Sequence, residues 1–407
     1  MNDLDLQRGL RTTIDGAAAP VSAAEAQLRA GEATFRRRRR QSGPWTQRLI
    51  IVAVTTAIVA VFFVPLPHVS LFRRLITPGK PSTGTSVPIT VPKTTPIWKQ
   101  IVELKGSDTL AGGYFGGGEA SEMETTPLEE ALSATTAVVG APFQANQAGR
   151  AYVFTMTATG WKQSAELEGS DSVVGDDFGT SVAMSDATIV VGAPYHANDA
   201  GGAFAGRVYV FTKTAIGWKQ TAELKGSDTV GGDGFGASVA MSGTTLMVGA
   251  PFQANETGRV YVFTKTVAGW KQTAELTGSD TIATGDEFGY SIAISGTTAV
   301  VSAPNHGAGR AYVFTRTATG WKHVAELKGS DTVAGDAFGD SVSISDATVV
   351  VGAPYYANQA GRAYVFTKTT AGWRQTAELT GSDTVAGDQF GWSVAMSGTI
   401  AIGAPFH

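Results

Sequence analysis

The feature that most constrains this chain is a repeat of about 50 residues. A Phe-Gly pair recurs with its Phe at positions 115, 178, 235, 288, 338 and 390, in steps of 63, 57, 53, 50 and 52 residues. A tryptophan keeps the same beat at 98, 161, 218, 270, 321 and 373. Each Phe-Gly is followed, after an apolar run, by Gly-Ala-Pro or in one copy Ser-Ala-Pro. Self-similarity at this period means a solenoid, a propeller or an array, whose units bury their apolar faces against one another.

Four runs in each period read as strands. In one copy they are FGDSVSIS, TVVVGAP, GRAYVFT and GWRQTAEL, rich in β-branched and aromatic residues and separated by Gly, Asp, Asn or Ser. No part of the repeat region shows a long 3.6-residue period. Four antiparallel strands per period is the make-up of a propeller blade. The repeat therefore predicts an all-β, six-bladed β-propeller of four-stranded antiparallel blades. In this reading Phe338 plugs the space between neighbouring blades, Gly339 removes a side chain where inner strands crowd, and Pro354 ends the second strand. The run GGYFGGG at 112–118 lacks the strand-to-helix setting and the Lys-Ser/Thr pair of a phosphate loop, so it too belongs to the repeat.

Phe-Gly, then Gly-Ala-Pro, then GRAYVF resembles the FG-GAP repeat of integrin alpha-subunit propellers and of many bacterial surface proteins. The resemblance covers residues 86–407. It implies a propeller that is usually extracellular, often serves adhesion or ligand binding, and often carries calcium loops.

Before the repeats the chain is organised differently. Residues 1–48 carry nine Arg against five acidic residues, and the remainder carries 22 basic against 30 acidic. The mildly acidic repeat region is a poor candidate for nucleic acid. There is no Cys, which excludes disulfides and thiol nucleophiles. Residues 49–66, LIIVAVTTAIVAVFFVPL, are uncharged and long enough to cross the hydrocarbon core as a helix. A long preceding region and the lack of a small-x-small site favour a retained signal anchor over a cleaved peptide. Arginines at 36–40 and 48 place the N-terminus in the cytoplasm. The expected organisation is a largely disordered basic tail (1–47), a transmembrane helix (48–68), a Pro/Gly/Ser/Thr linker (69–85) and the propeller (86–407).

Chemistry is sparse. Gly-Ser-Asp precedes each Phe-Gly, giving Asp108, Asp171, Asp228, Asp280, Asp331 and Asp383. Gly-Asp follows in five copies, giving Asp176, Asp233, Asp286, Asp336 and Asp388, the weak candidates for a metal. Such an Asp more commonly accepts backbone N–H groups in its own turn. Calcium needs six to eight oxygens. The family's calcium loop would lie between Phe-Gly and Gly-Ala-Pro, where this chain has at most one Asp in the turn, so no cofactor is expected, with calcium the alternative left open. His196, His306, His323 and His407 read as sharing no repeat position, and no nucleophile–base spacing appears. Family hydrolases keep their chemistry in a separate catalytic domain, for which the remaining residues leave no room.

Two insertions break the repeat. Residues 117–127, GGEASEMETTP, bring Glu119, Glu122 and Glu124 into the first copy, and residues 199–205, DAGGAFA, bring Asp199 into the second. Loops of this kind carry function disproportionately, so these four acids are the candidate binding residues. Finally, 89–100, ITVPKTTPIWKQ, align without a gap to 364–375, YVFTKTTAGWRQ. They are expected to supply the third and fourth strands of the blade begun at Phe390. Taken together, the uncharged span, the acidic repeat region, the lack of catalytic motifs and the resemblance lead to the expectation of a non-enzymatic, single-pass surface protein that binds a protein or glycan, not nucleic acid. The alternatives are a structural envelope-assembly role and, further off, a hydrolase with its site in the central channel.

Overall fold

The computed structural model of the chain describes residues 104–109, 115–116, 130–133, 135–197, 202–279, 283–397 and 399–407. All lie in one compact unit, Thr55–His407. The basic tail, the predicted span, the linker, the strands expected at 89–100 and the insert at 117–127 fall outside the described residues. Among the described residues no helix is long and apolar enough to cross a membrane.

The chain forms a succession of antiparallel sheets in sequence order. Sheet 1 holds β1 (Glu130–Leu132), β2 (Thr136–Ala141), β3 (Arg150–Thr157) and β4 (Gly160–Leu167). Sheet 2 holds β5 (Ser181–Ser185), β6 (Thr188–Ala193), β7 (Arg207–Thr214) and β8 (Gly217–Leu224). Sheet 3 holds β9 (Ser238–Ser242), β10 (Thr245–Ala250), β11 (Arg259–Thr266) and β12 (Gly269–Leu276). Sheet 4 holds β13 (Ile292–Ser295), β14 (Thr298–Ala303), β15 (Arg310–Thr317) and β16 (Gly320–Leu327). Sheet 5 holds β17 (Val342–Ser345), β18 (Thr348–Ala353), β19 (Arg362–Thr369) and β20 (Gly372–Leu379). Sheet 6 is represented among the described residues by β21 (Ser393–Met396) and β22 (Ile400–Gly403). Repeated four-stranded antiparallel sheets of this kind are the blades of a β-propeller.

Burial follows position in the blade. Second strands such as β6, β10 and β14 are buried at every residue. They are apolar runs because both faces are covered. The outer strands β8, β12 and β16 instead alternate between exposed and half-buried residues, then end on a buried Leu. The core lies between sheets. Phe338 is fully buried and packs with Val300, Val313 and Leu327 of sheet 4 and with Val349 and Val351 of sheet 5. Its ring meets Tyr364 at 5.4 Å and Phe366 at 6.0 Å. Phe178, Phe235 and Phe288 repeat this arrangement. Removing such a ring costs about 3–5 kcal/mol. Gly339 has φ 102°, and a Cβ there would run into the carbonyl of Arg310 in the preceding sheet. Its N–H donates to the carbonyl of Gly352, so the two glycine markers of the repeat hold each other. Pro354 directly follows β18.

Candidate functional site

One end of the sheets gathers two kinds of connection. One joins the second strand to the third, just after Gly-Ala-Pro. The other joins an outer strand to the next sheet and carries both sets of aspartates. In that second loop Asp108, Asp171, Asp228 and Asp331 accept the hydroxyls of Tyr152, Tyr209, Tyr261 and Tyr364 at 2.7–2.8 Å. Burial, then the carboxylate neighbour, push these phenols well above their usual range. Asp280 lies outside the described residues.

The Gly-Asp set is buried. Asp176, Asp233, Asp336 and Asp388 each accept the backbone N–H of the residue three positions earlier at 2.7 Å, and Asp286 does the same with Ala283. These carboxylates close their own turns. Burial raises Asp233, against the pull of the Val230 N–H. Among the described residues no group of three or more His, Asp or Glu is gathered so as to hold a metal ion.

The histidines correct the sequence reading. His196, His306 and His407 do share a position, the second residue after the Pro of the Gly-Ala-Pro or Ser-Ala-Pro. In each, Nδ1 meets the Gly-Asp carboxylate of the same sheet, at 2.8 Å to Asp176, 2.8 Å to Asp286 and 2.9 Å to Asp388. Nε2 faces the other aspartate, at 3.7 Å from Asp171 for His196 and 3.8 Å from Asp383 for His407. The bond to Asp388 raises the His407 imidazole, and the Val385 N–H followed by His407 lowers Asp388. His323 stands elsewhere, in β16, against Tyr312 and Phe314.

Sheets 1, 3 and 5 carry Gln144, Gln253 and Tyr356 at the histidine position. Gln144 donates to the Asp108 carbonyl at 2.8 Å, and the Tyr356 hydroxyl to Asp331 at 2.7 Å. Arg259 reaches Asp228 at 3.0 Å, and Arg362 reaches Asp331 at 2.7 Å.

An apolar recess opens on this same end between sheets 2, 3 and 4. Its free volume is about 180 Å³, and its walls include Tyr195, Phe204, Phe252, Tyr290, Pro194 and Pro251. Phe204 comes from the inserted loop, is 45% exposed, and lies edge-on to Tyr195 at 5.1 Å. Of the four acids expected to bind, Asp199, Glu119, Glu122 and Glu124 all lie outside the described residues. The aromatic at 204 was a detectable signal, because an exposed Phe in an inserted loop has no packing duty in the repeat.

The next junction is polar. Asn305 and Asp340 of sheets 4 and 5 occupy the positions held by Phe252 and Tyr290 one sheet earlier. Asp340 is 4% exposed, and its Oδ2 has no hydrogen-bond partner among the described residues. Burial, then the charge of Glu287, push its carboxyl up to about 8. Asp177 is likewise pushed up to about 7 by burial and Asp176.

Human integrin alpha-D is 28% identical to this chain over 142 residues, which make up 31% of this chain and 12% of the integrin. The chain therefore spans only a small part of that relative's length. The FG-GAP repeat, compared as a family, matches residues 161–211, 218–263, 270–314, 321–366 and 373–407. The first four matches run from the Trp of an outer strand to the third strand of the following sheet, so one repeat ties two blades together. These matches cover more than half of the residues, and the chain belongs to the FG-GAP repeat family.

Proposed function

We propose that the chain is a non-enzymatic binding and adhesion protein of the cell surface, with six blades, that engages a protein or glycan through the recess between sheets 2 and 4. A single span at 48–68, with the N-terminus in the cytoplasm, holds the repeats outside the membrane. The recess carries the reading. Most loops on this end are near copies, and specific recognition needs a feature that singles out one position. Four aromatic rings around one opening supply contact area at low entropic cost. Membership of the FG-GAP family and the likeness to an integrin alpha chain support a binding role over a purely structural one. The His–Asp pairs do not argue for catalysis. Nε2 of His196 and of His407 meets a carboxylate where an activated nucleophile would have to stand.

The test uses full-length protein in detergent as bait for envelope extract, beside the double variant Phe204→Ser, Phe252→Ser. A species held by the parent and released at least about tenfold more readily by the variant is expected. Equal capture by both would remove the recess from the site.

A further inference from the structure

The end opposite the recess and the aspartates carries the reverse charge. Each of sheets 1 to 5 turns twice there, between its first and second strands and between its third and fourth. The inner turns of sheets 2 to 5 are tied in a row. Gly243 N–H donates to Ser185 Oγ at 3.1 Å, Gly296 N–H to Ser242 Oγ at 3.2 Å and Asp346 N–H to Ser295 Oγ at 3.3 Å. The outer turns are tied to them: Lys265 donates to Thr188 at 3.3 Å and Arg316 to Thr245 at 3.0 Å, each in the preceding sheet. The turns therefore form one continuous surface.

Its charges repeat. In sheet 2 the exposed Lys213 and Lys219 flank the outer turn. In sheets 3, 4 and 5 the same two places hold Lys265 and Lys271, Arg316 and Lys322, and Lys368 and Arg374, all exposed. Sheet 1 adds Lys162. Against these nine cations, the acids among the described residues of these turns are Asp186 and Asp346. The acidic balance of the repeat region thus belongs to the other end, where both aspartate sets lie. In sheets 2 and 3 the tip of the outer turn also carries Ile216 and Val267, both wholly exposed. An aliphatic side chain at such a tip has no packing duty within its sheet. Lys213 and Lys265 stand over Trp218 and Trp270 beside those tips, at 5.8 and 6.0 Å from the ring centres.

We propose that this end docks on an anionic phospholipid surface, a contact separate from the expected span and from the partner engaged by the recess. The cations meet headgroup phosphates, and the aliphatic tips enter the boundary of the acyl chains, as in other interfacial segments. A bilayer is laterally uniform, so near copies of one turn suit it, whereas a specific protein partner needs a feature that singles out one position. Many weak contacts on one rigid surface act together. A soluble polyanion would use the same cations but leave Ile216 and Val267 in water. Docking in this way turns the recess away from the lipid and towards a partner.

The test uses full-length protein in phosphatidylcholine nanodiscs, mixed with vesicles. Vesicles with about 30% phosphatidylglycerol should bind at least about tenfold more tightly than pure phosphatidylcholine vesicles, and salt at about 0.5 M should weaken that binding severalfold. The chain lacks Cys, so a single introduced thiol takes one label. An environment-sensitive dye on Ala268→Cys, beside Val267, should shift to the blue on anionic vesicles, and the same dye on Ser382→Cys at the aspartate end should not. The variant Lys213→Gln, Lys219→Gln, Lys265→Gln, Lys271→Gln should lose at least about tenfold in binding with an unchanged melting temperature. If that variant melts early, the two labels decide. Ile216→Ser, Val267→Ser should weaken vesicle binding about fivefold and leave binding of soluble polyphosphate unchanged. Equal binding to both kinds of vesicle overturns the proposal, as does a shift at residue 382 in place of 268. A tip variant that binds vesicles as tightly as the parent assigns this end to a soluble polyanion and overturns it too.

Discussion

Sheets 1, 3 and 5 use the connection after Gly-Ala-Pro differently from sheets 2, 4 and 6. In the first set three consecutive non-glycine residues are left-handed: Ala145 to Gln147, Ala254 to Glu256 and Ala357 to Gln359, with φ between 51° and 67°. Each such residue costs about 1–2 kcal/mol. The turn presents one carbonyl to the next sheet. Gln147 O accepts the N–H groups of Gly175 and Asp177 at 3.0 and 2.9 Å, and Glu256 and Gln359 do the same one and two turns on. In the second set a histidine is held against a buried aspartate instead. The first set thus joins sheets through three strained residues in a row, whereas the second set holds a histidine that is buried at His196, half-buried at His306 and exposed at His407, and in sheet 2 the left-handed Phe204 still gives its carbonyl to the Gly234 N–H at 2.9 Å. Local strain persists only where surrounding contacts over-determine it, and here those contacts come from the neighbouring sheet.

The largest effects should fall on what both sets share. Gly258 in sheet 3 has φ 83° and Gly309 in sheet 4 has φ 90°, and a Cβ on either would strike the Phe backbone of the next sheet. Gly258→Ala and Gly309→Ala should each cost more than about 3 kcal/mol, read as a fall in the urea midpoint. Unequal losses would mean that the two kinds of connection bear different loads, and the comparison would need to include the junction itself.

The polar junction between sheets 4 and 5 comes next. The Asp340 carboxyl is pushed up to about 8, so the native state holds a proton that the unfolded chain releases above about pH 4. Stability contributed at this site therefore falls as pH rises from about 4 to about 8. Asp340→Asn should raise the melting temperature at pH 8 and change it little at pH 5. An equal gain at both would show that packing, not charge, sets the cost of Asp340.

The histidines should show the opposite sign of the difference between sets. His306→Ala removes the imidazole from buried Asp286, leaving it the Ala283 N–H, and should cost about 1–2 kcal/mol, more than Gln253→Ala in sheet 3. At His407 the folded imidazole is raised and Asp388 is lowered. The histidine's contribution is full below its unfolded value of about 6.5 and is lost as pH rises through the folded value. The aspartate's contribution is present above about pH 4 and is lost below it. The gap in melting temperature between the parent and His407→Gln should therefore be widest at pH 5–6 and narrow towards pH 8. The carboxylates facing this ring are Asp388 and Asp383, and Asp383→Asn should shift the narrowing to lower pH.

Legibility in the sequence tracked how each residue acts. Phe338, Gly339 and Pro354 act through backbone limits and close packing that repeat in every copy, so period alone exposed them. His196, His306 and His407 were missed because the connections differ in length, and only counting from the Pro aligns them. The left-handed turns in Gln-Ala-Asn-Gln, Gln-Ala-Asn-Glu and Tyr-Ala-Asn-Gln carry no Gly, and the Asn was the one local hint. The recess depended on three sheets converging, which no single copy of the repeat encodes.

The smallest effect is also the most direct comparison of the two sets. Ala254 in sheet 3 and Gly307 in sheet 4 occupy the same place, directly after Gln253 and His306, and both are left-handed, with φ 54° and 61°. Ala254 is exposed, so its methyl packs against little. A Cβ on Gly307 would find its nearest neighbour at 4.0 Å, the Arg310 guanidinium. Contacts therefore cancel, and two backbone effects remain. Alanine in this region is strained, while glycine loses more freedom on folding; at a positive φ the strain is the larger of the two. Gly307→Ala should lose about 1 kcal/mol and Ala254→Gly should gain about the same, each read from urea midpoints at matched pH. Opposite signs of similar size would show that sheets 1, 3 and 5 carry strain that sheet 4 avoids through its glycine. A loss in both would mean that Ala254 is held left-handed at no cost, and the alternation would then lie in the histidines alone.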